Sequence, residues 1–300
     1  MKNLTLKTII IAVLCNVLFG SAIPFIKLGY QYFNINNLFS TILFSGIRFF
    51  VSGIILFFIT FTVERKVPII TKGNVKTVFL LALTYIFLQY IFCYIGLSNT
   101  SGSLGSIITS TSAFISIFLA HFIYPDDKLN LKKIIGVTIG FIGVIVVCFS
   151  NDNFKSFSFF GEGFMLLAAI FFVIGSAINK KATKLNSAFT VVTYNLLIGG
   201  AMLILVGIIG YNGEIVISLE GLLILLYLII VAVVGFTVWG TLLKNYPIGK
   251  LGIYTCLIPI SGAIFSALVL GENILSWQYL TAIILVSAGI FIVNMHFKKQ

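Results

Sequence analysis

Charged residues are scarce in this chain, and their scarcity limits what kind of protein it can be. They form 9% of its 300 residues, whereas a soluble domain carries about 25%. Hydrophobic residues form 59%, and the mean hydropathy is +1.14. A water-soluble protein of this size cannot bury so much apolar surface, because exposed area still grows steeply with mass. The composition therefore excludes a soluble protein and predicts an integral membrane protein in contact with the lipid bilayer.

The residue types that metal sites and acid–base catalysts need are equally few. The two histidines, His121 and His296, are far apart, and the four cysteines lie in separate apolar runs without a CxxC pair. These spacings indicate neither a disulfide framework nor a zinc site. The motifs HExxH, GxSG and GxGD do not occur, so we expect no enzyme activity, no metal and no cofactor.

Acidic residues are also missing from the middle of the apolar runs. All of them fall near the ends of the predicted spans or in loops, which argues against the carboxylate proton relay that many membrane pumps use. His121 can titrate near neutral pH, but its place toward the cytoplasmic end of the fourth span favours packing at the interface. Glu272, in LVLGENILSWQ (268–278), is expected at a membrane face, accepting hydrogen bonds from the start of the following helix.

What the chain does have is apolar runs long enough to cross a bilayer, which takes about 20 residues each. The first is expected to be a retained helix and not a cleaved signal peptide, because its apolar run continues through Pro24 to Leu28. Ten spans are predicted, at 6–28, 38–62, 74–97, 101–124, 131–149, 161–181, 187–209, 220–243, 250–270 and 276–297.

The basic residues orient these spans. With the N-terminus in the cytoplasm, every Lys and Arg except Lys27, Arg48 and Lys155 falls on the cytoplasmic side. A net charge of +11 spread in this way follows the positive-inside rule and does not indicate nucleic-acid binding. The distribution predicts an even number of spans, both termini in the cytoplasm and a multi-pass protein of the cell (plasma) membrane.

An internal repeat is visible when the chain is shifted by 146 residues, which brings Asp126 onto Glu272 and Gly143 onto Gly289. Each copy of the repeat holds five predicted spans. Because five is an odd number, the second copy must enter the membrane from the opposite face.

The predicted fold is therefore an all-α integral membrane protein, with ten transmembrane helices arranged as two inverted five-helix repeats. The first repeat corresponds to residues 1–150 and the second to residues 151–300. Inverted repeats related by an axis in the membrane plane are typical of secondary transporters, whose substrate site lies between the halves near the midplane.

Three stretches and one arginine resemble a known family. They are LFGSAIPFIKLG (18–29), Arg48, LVLGENILSWQ (268–278) and SAGIFI (287–292). Together they resemble the drug/metabolite transporter superfamily, specifically its ten-helix EamA-type members, over essentially the whole chain. The resemblance implies a transporter whose first, third, fourth, sixth, eighth and ninth helices line the cavity. The first copy of the tail motif departs from the family pattern, with Pro125-Asp126-Asp127 where Gly-Glu is usual.

Arg48 lies about halfway along the second predicted span. A charge at this depth costs a few kcal/mol on insertion scales, so a functional role is the default hypothesis. Its guanidinium could bind a substrate carboxylate or another anion. Alternatively, it could be structural and bond to backbone carbonyls or a neighbouring helix. The family resemblance places an arginine here in members with different substrates, which favours the structural alternative.

Polar and aromatic residues inside the spans are the candidates for a binding site. Tyr85 and Gln89 share one helix face at a spacing of four residues. Ser110 belongs to a hydroxyl cluster in the fourth span, although such hydroxyls often bond to their own helix. The candidate substrate-binding residues are Asn16, Arg48, Tyr85, Gln89, Ser110, Asn179, Trp239 and Tyr254.

The leading functional hypothesis is a secondary transporter that exports a small metabolite by alternating access, with an amino acid, apolar or aromatic, as the expected substrate. Efflux of drugs or amphipathic cations, or of another small metabolite, is the alternative, although it calls for a buried acid that the spans lack. A purely structural membrane partner would have no need of an inverted repeat. The expected partners are the small-molecule substrate and the bilayer, with the protein as a monomer or homodimer.

Overall fold

The fold is described here from a computed structural model. It covers residues 5–123, 130–148, 157–213, 215–246, 254–255 and 257–294. All regular secondary structure in these residues is helical. The helices are α1 (Leu6–Tyr32), α2 (Leu38–Glu64), α3 (Val75–Leu81), α4 (Gln89–Ser98), α5 (Gly102–Thr109), α6 (Thr111–Ile123), α7 (Leu131–Cys148), α8 (Phe164–Ala182), α9 (Ala188–Ile209), α10 (Leu219–Asn245), α11 (Leu257–Leu270) and α12 (Trp277–Asn294).

Two of the long helical segments contain irregular turns. A 3-10 turn, Lys72–Asn74, precedes α3, and a π-helical turn, Ala82–Leu88, joins α3 to α4 without a break in the rod. A second π-helical turn, Phe159–Gly163, leads into α8. Ser110 separates α5 from α6.

Seven helices in the described part of the chain are long and apolar enough to cross a membrane. They are Leu6–Tyr32, Leu38–Glu64, Lys72–Ser98, Gly102–Leu119, Phe159–Ala182, Ala188–Ile209 and Leu219–Leu242. Two further apolar helices, Leu257–Leu270 and Trp277–Val293, are shorter. The prediction of a multi-pass, all-helical membrane protein is confirmed.

Several of these helices begin at a polar cap, because the first backbone N–H groups of a helix have no partner within it. The side-chain oxygen of a small polar residue before the helix accepts a hydrogen bond from the backbone N–H three residues further along, and so satisfies one of those groups. The capping side chains are Thr5, Asn37, Ser101, Ser187 and Ser218. They accept from the backbone N–H groups of Thr8, Ser40, Leu104, Thr190 and Gly221, respectively. The caps fix where each helix starts at the edge of its apolar run.

Helices α2 and α9 pack through glycines. A Cβ on any of these glycines would lie between 2.5 and 2.8 Å from a backbone nitrogen of the other helix, so only glycine allows this approach. The close pairs are Gly46 with Ile204, Gly53 with Leu197, Gly200 with Phe50 and Gly207 with Leu43. Because residue numbers rise along α2 as they fall along α9, the helices are antiparallel. The contacts form two equivalent pairs. Adding 154 to each α2 residue number and subtracting 154 from each α9 residue number turns the contact of Gly46 with Ile204 into that of Gly200 with Phe50, and likewise for the other pair.

Helices α7 and α12 pack in the same manner. A Cβ on Gly143 would lie 3.0 Å from Ala282 O, and one on Gly289 would lie 2.5 Å from Gly136 O. These contacts also run antiparallel and exchange under the offset of 146 residues that the sequence repeat predicts. The aligned glycines Gly143 and Gly289 are therefore equivalent positions of close helix packing.

The ends of α1 identify the two faces of the bundle. This helix has 27 residues and is about 40 Å long at 1.5 Å per residue. Near its end Lys27 Nζ donates to the carbonyl of Thr100, whereas near its start the hydroxyls of Thr8 and Tyr246 are 3.1 Å apart. We name these ends the Glu272 face, formed by Lys27, Thr100, Ser103, Glu162 and Glu272, and the Tyr246 face, formed by Thr8, Trp239, Tyr246 and Tyr254.

The contacts of Glu272 correct one prediction. Its carboxylate accepts hydrogen bonds from Gly102 N at 2.7 Å, Ser103 N at 2.8 Å and Ser103 Oγ at 2.6 Å. The predicted position at a helix end is right, but the partner is the start of α5 and not the start of the following helix, α12. A carboxylate is stabilised there by the positive end of the helix dipole, wherever in the chain the helix comes from. Asp126, its partner in the repeat, lies outside the described residues.

Candidate functional site

Aromatic side chains converge at the centre of the bundle. The ring of Phe236 on α10 lies 5.7 Å from Phe19 on α1, 5.7 Å from Tyr85 and 6.5 Å from Phe49 on α2, between ring centroids. Tyr85 stacks on Phe172 of α8 at 5.4 Å. Edge-to-face and offset pairs of this kind are favourable beyond the apolar area that they bury. We name Phe19, Phe49, Tyr85, Tyr90, Tyr94, Phe172 and Phe236 the central aromatic cluster.

Tyr85 is held in this cluster by an irregular backbone. It lies in the π-helical turn Ala82–Leu88, and π-helical turns inside α-helices occur frequently at functional sites. Opposite the ring is Gly175, where a Cβ would lie 2.3 Å from Tyr85 Cδ2. The absence of a side chain on Gly175 therefore makes the space in which Tyr85 packs.

Arg48 connects the cluster to two helices. Its Nε donates to Leu228 O on α10 at 3.1 Å, and its Nη1 donates to Tyr94 OH on α4 at 2.8 Å. The guanidinium carbon is 4.8 Å from the centroid of the Phe49 ring. These contacts are those that the structural alternative predicts, because hydrogen bonds and a ring face offset the cost of burying the charge.

Several buried polar atoms near the cluster have no hydrogen-bond partner in the described part of the protein. Asn16 uses its Nδ2 to donate to Ala12 O at 2.7 Å, which leaves its Oδ1 unpaired. Such atoms are unusual, since the large majority of buried polar groups are paired, and each one calls for an explanation. Close to the cluster, the unpaired acceptors are Asn16 Oδ1, Gln89 Oε1, Asn179 Oδ1 and Thr237 Oγ1.

The remaining predicted site residues lie apart from the central cluster. Ser110 stands at the break between α5 and α6, and its hydroxyl donates to Ile107 O at 2.5 Å. Trp239 and Tyr254 pack instead around Ala12 and Leu242 at the Tyr246 face. The structure thus groups Asn16, Tyr85, Gln89 and Asn179 with Arg48 around one aromatic centre and places Ser110, Trp239 and Tyr254 at its periphery.

Comparison with known proteins decides the family. The sequence pattern of the EamA-like transporter family matches residues 6–149 and again residues 159–295. This chain belongs to the EamA-like transporter family. The resemblance carried by the sequence stretches of the first, second, ninth and tenth helices is therefore confirmed.

The relatives of this EamA protein cover most of its length. A "Probable amino-acid metabolite efflux pump" of Escherichia coli (strain K12) is 28% identical over 293 residues, which are 94% of this chain and 93% of the relative. The "Uncharacterized transporter YetK" of Bacillus subtilis (strain 168) is 25% identical over 85% of this chain and 78% of the relative. A solved structure described as "Crystal structure of protein" matches with a TM-score of 0.69 and 14% identity, over 94% of this chain and 95% of that one. At that identity the likeness concerns the fold alone.

Sequence reasoning missed part of the EamA site. Phe19, Phe49, Phe172 and Phe236 were not predicted, because the chain has 30 phenylalanines and rings that face lipid look the same in sequence as rings that face a site. Thr237 carried a usable signal, since it is a hydroxyl inside a long apolar helix. Its neighbour Thr241 carries the same signal but bonds to its own helix, so only the structure separates the two.

Proposed function

We propose that this EamA-family protein is a secondary transporter that exports an amino acid from the cell by alternating access. Ten transmembrane helices form two inverted repeats, residues 1–150 and 151–300, and the substrate site lies between them. The antiparallel contacts of α2 with α9 and of α7 with α12 support this arrangement, because each set exchanges under one offset, as a two-fold axis perpendicular to the helices requires. The two separate stretches of the family match support it too.

The observation that carries the substrate class is the relative named as an amino-acid metabolite efflux pump, which aligns along 94% of this chain. The site residues proposed for binding are those predicted from the sequence. They are Asn16, Arg48, Tyr85, Gln89, Ser110, Asn179, Trp239 and Tyr254. The central aromatic cluster supplies an apolar wall that suits the side chain of an apolar or aromatic amino acid.

The orientation follows from the charge bias. Both termini face the cytoplasm, so the Tyr246 face is cytoplasmic and the Glu272 face is external. Acids are missing from the middle of the predicted spans. Export therefore proceeds down the substrate gradient or with coupling carried by the substrate itself. The protein works in the plasma membrane as a monomer or homodimer.

Flux from proteoliposomes tests the proposal. Vesicles containing the purified protein are loaded with apolar, polar and charged amino acids, and with a quaternary ammonium dye as an amphipathic cation, at matched and opposed pH gradients. Release of apolar or aromatic amino acids above the level of empty vesicles is expected, with equal rates with and without a pH gradient. Failure to release any amino acid would overturn the proposal. Release of the dye alone would favour drug efflux, because the rings of the central aromatic cluster can attract a cation.

A further inference from the structure

Three of the unpaired acceptors are buried deeply enough to require a partner. Asn16 is 0% exposed, Gln89 is 8% exposed and Thr237 is 8% exposed, and the oxygens of these side chains accept no hydrogen bond within the described residues. An unpaired buried group costs about 1–3 kcal/mol. Each such group therefore calls for an explanation.

Thr237 illustrates why these atoms are unusual in this protein. Buried hydroxyls in its helices usually donate to the carbonyl four residues earlier, as Thr60 does to Leu56 O at 2.7 Å and Thr241 to Thr237 O at 2.8 Å. Thr237 on the same helix as Thr241 makes no such bond. Its hydroxyl is therefore free to form a hydrogen bond with a group outside its own helix.

The three acceptors belong to turns of helix that touch one another. Cys15 Sγ lies 3.5 Å from Gly235 O, which brings the turn of Asn16 beside the turn of Thr237. Tyr85 contacts Phe236, the residue before Thr237. Gln89 follows Tyr85 by about one helical turn and so extends the same face. Each of the three acceptors therefore lies within about one helical turn of Phe19, Tyr85 or Phe236, whose rings contact one another.

The side-chain oxygens and aromatic rings around this contact favour one kind of ligand group. Amide and hydroxyl oxygens accept hydrogen bonds, an ammonium group offers three donors and no acceptor, and aromatic faces attract a cation when water is excluded. The Thr237 hydroxyl and the Gln89 amide also carry donors for a carboxylate, but the negative faces of the Tyr85 and Phe236 rings attract a cation and disfavour an anion. The guanidinium of Arg48 is already engaged, since it donates to Leu228 O and to Tyr94 OH.

We propose that Asn16 Oδ1, Gln89 Oε1 and Thr237 Oγ1, with the rings of Tyr85 and Phe236, bind the protonated amine of the transported substrate. The inference rests on the proposed transport function and makes the amine the group that the site requires. The carboxylate and the side chain of the substrate are then secondary. Molecules that keep the amine are carried, and molecules that lose it are not.

A matched set of three phenyl compounds tests this selectivity. L-phenylalanine, 2-phenylethylamine and 3-phenylpropanoate share the ring, and the last one lacks the amine. In proteoliposomes we expect flux of the two amines and at least tenfold slower flux of 3-phenylpropanoate, since each tenfold corresponds to about 1.4 kcal/mol. Equal flux of the acid would overturn the inference while leaving the transport function intact.

Substitutions locate the site. Thr237→Val and Gln89→Leu remove an acceptor at nearly constant volume and should each raise the KM for both amines about tenfold, because a hydrogen bond to a charged group is worth about 1.5–3 kcal/mol. Thr241→Val is the matched control, since that hydroxyl is satisfied by its own helix, and its KM should not change. Unchanged KM in Thr237→Val and Gln89→Leu contradicts the proposal.

A binding measurement keeps the test independent of transport. In detergent, 2-phenylethylamine should raise the melting temperature of the protein, and this shift should be lost in Thr237→Val and kept in Thr241→Val. Without ligand, Thr237→Val should melt no lower than the unsubstituted protein, because the group removed was unpaired. A melting shift in the absence of amino-acid flux would leave the amine site standing and overturn only the transport proposal. An absent shift overturns the amine site.

Discussion

The Glu272 face and the Tyr246 face are closed by equivalent contacts of different chemistry. At the first, Thr100 Oγ1 donates to Glu162 Oε1 at 2.7 Å. At the second, the hydroxyls of Thr8 and Tyr246 are 3.1 Å apart. In the sequence repeat, Thr8 corresponds to Glu162 at an offset of 154 residues, and Thr100 corresponds to Tyr246 at an offset of 146 residues. The contact of Thr100 with Glu162 at one face is therefore the counterpart of the contact of Tyr246 with Thr8 at the other.

The difference between the two contacts is one of charge. Hydrogen bonds that involve a carboxylate are about twice as strong as those between neutral groups. The Glu272 face also has the three hydrogen bonds of Glu272 and the contact of Lys27 with Thr100, whereas Lys181, at the position equivalent to Lys27, is exposed. Of the two sets of residues that define the faces, the Glu272 set is therefore held more strongly, and we expect the Tyr246 face to open first.

Reporters for both faces are present in the chain. Cys93 lies on α4 about one turn inside Leu97, whose carbonyl accepts from Lys27 at the Glu272 face. Cys15 lies on α1 about one turn inside Ala12, which packs at the Tyr246 face, and both cysteines are buried and free. With Cys148 and Cys256 replaced by alanine, the rate at which a maleimide labels each remaining cysteine measures the opening of its face.

The largest effect is expected from Glu272→Ala. The substitution leaves Gly102 N and Ser103 N without their acceptor and should lower the unfolding free energy by about 2 kcal/mol. Labelling of Cys93 should rise roughly thirtyfold, by the usual conversion of about 1.4 kcal/mol per tenfold, and thermal unfolding measures the stability. Glu220→Gln is the control, because Glu220 is exposed at the start of α10. Unchanged labelling of Cys93 would show that this carboxylate does not hold the face.

A smaller effect is expected from Glu162→Thr, which gives the Glu272 face the hydroxyl contact of the Tyr246 face. Both the bond from Thr100 and the bond from Ser158 N at 2.7 Å are weakened or lost. The expected cost is about 1 kcal/mol, and labelling of Cys93 should approach that of Cys15. If the two cysteines still label at very different rates, charge is not what distinguishes the faces.

The smallest effect is expected from Tyr246→Phe, which removes one neutral hydrogen bond at the weaker face. The cost should be about 0.5 kcal/mol, with labelling of Cys15 roughly doubled and that of Cys93 unchanged. Tyr211→Phe serves as the control, since Tyr211 is an exposed tyrosine. A loss of stability as large as that of Glu272→Ala would reverse the ranking of the two faces.

The sequence predicted the positions of the helices well and their interactions less well. Apolar runs ended where caps such as Thr5 and Ser187 begin a helix, because unpaired backbone groups cannot be left in lipid. The alignment of Gly143 with Gly289 anticipated a packing position. The partner of Glu272 could not be predicted, because its acceptor role fits any helix start at that face.

The candidate site was predictable only in its polar members. Asn16, Arg48, Tyr85 and Gln89 stood out as polar residues inside apolar runs, and the structure brings them to one region. The π-helical turn that carries Tyr85 has no sequence signature of its own, since its residues also suit an α-helix. The partners of Arg48 were equally hidden, because Leu228 contributes only a backbone carbonyl.

The glycine contacts between α2 and α9 have a consequence for the direction of opening. Each glycine contact of this interface has a twin on the other side of its centre, so tilting the two helices in one sense gives the same glycine packing, turned about the two-fold axis, as tilting them in the other sense. The glycines themselves therefore favour neither tilt. They can act as a pivot, but they cannot choose a side. Any preference for one open face must come from residues that have no identical twin, such as Glu162 and Thr8.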